Sequence, residues 1–279
     1  GVIRLRRRGD TWPVGRTVAW LLGTATMLLV TLSGVMTYGM LMLSVHMVQH
    51  MVLAMLVPVL LVLGAPITLA LRAIPPARRG ELGPRERIVS VLNSRLVRVL
   101  THPIVAFAIF VTAAPMVYFS GLFAYAMVNH TGHMLMGLHF LLGGYLFYEV
   151  VIGTDPLPRR PGFPIRVVMV LAAAGFHAFF GVALMESARL VAGDYYALLG
   201  TEITWLPDTL VDQRTAGGIT WGFGEIPALI VLIALVVQWS RSDERESRRR
   251  DRKVVDPELD EYNAYLQALA RQDEQQKSR

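Results

Sequence analysis

The chain has 279 residues, 53% of them hydrophobic and only 17% charged, with a positive mean hydropathy. A soluble domain cannot hide that much apolar surface, so the composition selects a membrane protein. The net charge of +6 is not a nucleic-acid signal either, because 25 of the 27 Lys and Arg fall on alternate connections between apolar segments.

Residues 1–16 form a basic lead-in, with Arg4, Arg6, Arg7, Arg8 and Arg16. The apolar run behind it is too long for a signal peptide. A start on Gly rather than Met is expected of a piece cut from a longer protein. No charged residue then occurs between Thr17 and Leu71. A spanning helix needs about 20 apolar residues, so this stretch holds two spans, at about 17–38 and 43–64. Pro58 should kink the second, since it removes a backbone donor, and Gly64 with Pro66 should end it.

The connection that follows is rich in Arg. Its "RERIVSVLNSRLVRV", 85–99, alternates Arg with Ile, Val and Leu at helical spacing. Two readings stay open there: an amphipathic helix on the membrane interface, or a connecting helix packed on protein. Spans three to six are expected at about 102–122, 128–151, 165–186 and 216–239. The Pro-rich "TDPLPRRPGFP", 154–164, should be an irregular turn. The segment 187–215 is too polar to span, and its aromatic residues suit an interface. In span six, Gly218 and Gly222 are spaced for close helix contact. Residues 241–279 form a charged tail. There, Leu259, Tyr262, Leu266 and Leu269 could line a short amphipathic helix, or the segment could simply solvate.

The fold class is therefore an all-α integral membrane protein. Its membrane domain, 17–240, is a bundle of six transmembrane helices with both ends cytoplasmic by the positive-inside pattern. Only Arg189 and Arg214 lie on the other side.

That orientation places the histidines. His46 and His50 fall in the outer turns of span two, in "SVHMVQHMVL", beside Met47 and Met51. His130 and His133 lie near the outer end of span four, His139 deeper, and His177 at about the middle of span five. Ionisable groups inside a membrane are costly and face a bundle interior, a partner or a cavity. Thioether and imidazole together suit copper, above all Cu(I). The chain has no cysteine, so no disulfide, thiolate site or catalytic thiol is available. The plainer alternative is that each Met fills space and each His makes a packing hydrogen bond. Spacing allows at least three of His46, His50, His133, His139 and His177 to converge. His133 and His139 are six residues apart, so only one of them should face the site. Glu225 in span six could orient an imidazole or serve a proton path.

The stretch "HMVQHMVLAMLVPVLLVLGAPITLALRA" resembles the polytopic CtaG family of cytochrome c oxidase assembly proteins. So do "HMLMGLHFLLGGYLF" at 133–147, "DPLPRRP" at 155–161, "FHAFFGVALM" at 176–185 and "DQRTAGGITWGFGEIPAL" at 212–229. The resemblance runs from Val14 to Asp251. It implies a seven-span fold, of which the first helix is missing here, and a role in making haem-copper oxidase through copper supply. Residues implied by the motifs are His50, His133, His139 and His177, with Asp212 and Gln213 at the outer mouth of span six. Some relatives carry a CopD-like copper-resistance domain in front.

The expected protein is a plasma-membrane assembly factor and not an enzyme. It would bind copper at an outward-facing His/Met site and pass it to oxidase subunits, with the lipid bilayer as its surroundings and no nucleic acid as partner. The rival readings are a haem-binding or redox membrane protein, a copper or proton-coupled transporter, and a scaffold without metal.

Overall fold

The structure is a computed structural model that describes residues 1–78, 81–158, 160–251 and 257–277. The described residues are helical and contain no strand. Gly1–Leu235 and Val236–Arg279 form two compact units.

The first unit opens with α1 (Val2–Arg7), whose Leu5 is buried against Trp12 and Ala65. Arg16 and Arg72 lie over the Trp12 ring, 5.1 and 5.7 Å from its centre. Span one is α2 (Val14–Leu32), which buries only Gly23 and Val30. A helix that apolar and that exposed is built to face lipid. It presses on the second span where Gly23 meets Leu60 and Leu61.

Ser33 then caps α3 (Gly34–Leu41) by accepting from the Val35 N–H. The extended Met42 separates α3 from α4 (Leu43–Met51). Span two thus runs through α4, a π-helical turn at Val52–Leu56, and α5 (Val57–Leu63). The expected disturbance at Pro58 takes this form. Pro58 has no N–H for the Ala54 carbonyl, and the chain widens by one residue just before it. The freed carbonyl points at span four, where a Cβ on Gly144 would lie 2.0 Å from it. Glycine there lets the two backbones meet.

Ala65, at φ +48°, turns the chain into α6 (Pro66–Ala73). Asp155 holds the start of α6 by accepting from the Ile67 and Thr68 N–H groups at 3.1 and 2.7 Å, and from the Thr68 hydroxyl at 2.6 Å. The Arg-rich connection forms α7 (Pro84–Leu92) and α8 (Arg95–Leu100). Neither has a fully buried residue, though Ile88, Leu92 and Val97 are half-buried.

Span three is α9 (Pro103–Tyr118) followed, after a 71° bend, by α10 (Gly121–Val128). Span four is α11 (His130–Ile152), capped by the Asn129 side chain at its start and ended by Gly153 at φ +64°. Span five is α12 (Phe163–Glu186), and α13 (Gly193–Glu202) fills the polar segment behind it. Last comes α14 (Thr209–Asp251).

Among the described residues, five helices are long and apolar enough to cross a membrane, and six if the bent α9–α10 pair counts as one. This is an all-α polytopic membrane protein. The glycines that close α12 on α14 are Gly181 and Gly217, where an added Cβ would meet the facing backbone at 2.8 and 2.7 Å. Gly218 and Gly222 face open space, which corrects the expectation for them. Spacing alone could not tell which side of the helix turns inward.

In the second unit, α15 (Pro257–Lys277) is a helix whose Tyr262, Leu266 and Leu269 are exposed. Leu259 lies outside the residues whose side chains are described.

Candidate metal centre

Span two brings His46 and His50 to one face because four residues make about one turn. Their rings stack at 4.3 Å with 25° between the planes. Span four supplies His133, whose ring lies 5.4 Å from that of His46 and 5.9 Å from that of His50. One ring nitrogen from each of the three lies within 4.8 Å of the others. All three side chains are buried. Both nitrogens of His46, both of His50 and Nε2 of His133 have no hydrogen-bond partner. A buried polar atom left unpaired costs about 1–3 kcal/mol, and five of them are gathered here.

The surroundings are aromatic. Phe123 sits 5.0 Å from the His46 ring and Phe140 4.8 Å from the His50 ring. Tyr118, at 6.1 Å from His46, also has a buried hydroxyl without a partner. Tyr196 on α13 is the next such hydroxyl, with burial pushing its phenol well above the usual range. Gln49 donates to the Val30 carbonyl at 2.8 Å while its Oε1 stays unpaired. Sequence reasoning passed over Tyr118, Tyr196 and Gln49. Only Gln49 carried a signal, as a polar residue between the two histidines of an apolar run.

Other candidates lie elsewhere. His139 is exposed on α11 and lies outside the three-imidazole group. His177 is buried but faces Phe110 at 5.0 Å and Gly224, with Nδ1 3.0 Å from the Ala173 carbonyl. Glu225 is exposed rather than turned to an imidazole. Met47 and Met51 are fully buried in the apolar core, on the face next to the imidazoles.

Asp212 and Gln213 act on backbone. Asp212 accepts from the Leu43 N–H at 2.6 Å and the Ser44 N–H at 3.3 Å. A carboxylate at a helix start satisfies free N–H groups and opposes the helix dipole, so Asp212 fixes the helix that carries His46 and His50. Gln213 accepts from Val191 N–H and donates to the carbonyls of Ser187 and Arg189, tying down the segment behind α12.

The fold and this site define a polytopic membrane protein with three unpaired imidazoles gathered inside the bundle. Residues 1–242 match the family described as cytochrome c oxidase caa3 assembly factor (Caa3_CtaG), and the chain belongs to that family. Uncharacterized proteins of Mycobacterium bovis and Mycobacterium tuberculosis are each 46% identical to it over 276 residues, and one of Mycobacterium leprae is 45% identical. The matches cover 97% of this chain but 42% of each relative's length. No solved structure matches it.

Proposed function

We propose that this chain is the copper-handling membrane part of a factor that assembles haem-copper cytochrome c oxidase in the plasma membrane. Copper is its cargo, bound by His46, His50 and His133 and passed on to an oxidase subunit. The role is that of a metal chaperone and not an enzyme. The observation that carries this reading is the five unpaired nitrogens of three buried imidazoles within ligand reach.

Neutral imidazoles are good ligands for copper, and copper stands highest among the divalent first-row metals for such sites. Metal–nitrogen bonds near 2 Å hold ligand nitrogens up to about 4 Å apart, so loading draws these rings slightly inward. The extra length of the relatives is where we place a CopD-like domain.

The test is a His50→Ala strain grown under copper limitation. Assembled oxidase and its copper-dependent spectrum should fall while this protein stays at its normal level. Added copper should partly restore the oxidase by mass action. Normal oxidase in that strain would overturn the proposal.

A further inference from the structure

The imidazole cluster is also one wall of a larger space. A cavity of about 490 Å³ lies between α2–α3 on one side and α11 on the other, and His50, His133 and Gln49 line it. Gln49 is 3% exposed and its unpaired Oε1 is one of the orphaned atoms there. The remaining wall is mostly apolar, but it carries soft donors. Met36 of α3 and His130 and Met134 of α11 line the same space. His130 and Met134 are exposed and stand one turn apart on one stripe of the helix, with His133 between them in sequence.

We infer that this crevice is the loading route by which Cu(I) reaches the three imidazoles, with Met36, His130 and Met134 as the donors that take it first. The inference rests on the proposed copper role and adds how the site is filled. The chemistry is ligand exchange. A thioether or imidazole lone pair replaces a donor of the incoming copper complex, and His133 and His50 then replace the thioethers. Copper stays Cu(I), no electron moves, and neutral imidazoles bind through a free lone pair without losing a proton. Thioethers suit this step because they bind Cu(I) well. A stripe of such donors lets the ion advance without ever being bare in an apolar space, where an unpaired charge is costly.

Gly137 makes the route testable without touching a donor. It lines the same space, and a Cβ there would meet only Leu53, at an ordinary 3.8 Å. Alanine therefore fits, while a leucine side chain reaches into the passage. The experiment mixes the purified full chain in nanodiscs with a weak Cu(I)–acetonitrile complex under anaerobic conditions and follows bound copper against time. The M36L/M134L double variant and Gly137→Leu should each load about tenfold more slowly, at the lower end of what losing a supporting group does at a metal site. Their final copper content should equal that of the unaltered chain, and Gly137→Ala should load at the normal rate. The double variant keeps the packing of Gly137, so the two blocks fail independently if one of them disturbs folding. Normal loading by both would overturn the route while leaving the copper site in place. A final copper content lowered by M36L/M134L would also overturn it, making the thioethers ligands rather than a path. An unaltered chain that takes no copper at all would overturn the proposed function, and the route with it.

Discussion

On the proposed reading, His50 serves function against stability. Its two ring nitrogens are buried and unpaired, and each such atom costs about 1–3 kcal/mol. His50→Leu removes that cost and keeps most of the side-chain volume. In the absence of copper the variant should therefore melt at the same temperature as the unaltered chain or above it. Added Cu(I) should raise the melting temperature of the unaltered chain only, since a ligand stabilises what it binds. A drop in metal-free stability of several degrees would show that the imidazole is a packing residue. Sequence gave His46, His50 and His133 but could not separate them from His139 and His177. Depth in the membrane can be read from position along a span, whereas direction around the helix axis depends on neighbours that the pattern does not name. His139 is six residues past His133, about 240° around the helix, and it faces outward.

At the scale of elements, the contact between α11 and span two decides whether the three imidazoles meet. Gly144 sits where a Cβ would be 2.0 Å from the Ala54 carbonyl oxygen, which is backbone and cannot swing away. Gly144→Ala must push the helices apart. It should cost about 1–3 kcal/mol or more and weaken copper retention, as read by thermal melting and metal content. Gly137→Ala, on the same helix but with only an ordinary 3.8 Å contact to Leu53, is the control. A melting temperature for Gly144→Ala within a degree of normal would contradict the close approach.

Asp155 offers a second test at the opposite end of span two. Asp155→Ala leaves the Ile67 and Thr68 N–H groups without their acceptor. For part-buried groups such as these, the loss should fall near the lower end of the range for a buried unpaired group, about 1–3 kcal/mol. Asp155→Asn keeps one oxygen acceptor and should recover part of the loss. The elements themselves were mostly legible, because hydropathy and length locate spans. The break at Ser33 and the 71° bend between α9 and α10 were not, whereas Met42 falls in the expected connection between spans one and two. Both missed breaks lie within apolar runs, where hydropathy stays high while the backbone turns. Pro58 announced a disturbance, but whether it becomes a kink or a π turn depends on Gly144, which lies 86 residues further along the chain.

For the whole molecule, the charge pattern predicts an orientation that would put the imidazole cluster in the outer half of the membrane. The absence of cysteine makes this easy to check with single-cysteine variants. Asp194 and Arg160 are both exposed in the structure. Asp194→Cys should react with an impermeant maleimide in intact cells, and Arg160→Cys only after the membrane is opened. Labelling of position 160 from outside would invert the bundle and turn the cluster toward the cytoplasm. Asp212 would be a poor probe, because it is buried against the start of α4.

X-ray absorption at the copper edge, on the purified chain loaded with one equivalent of Cu(I), tests the central claim most directly. The expected spectrum has nitrogen scatterers at about 2 Å and no sulfur in the first shell, and replacing His46, His50 and His133 by Leu together should abolish it. A sulfur-dominated shell, or the same spectrum in the triple variant, would contradict the account.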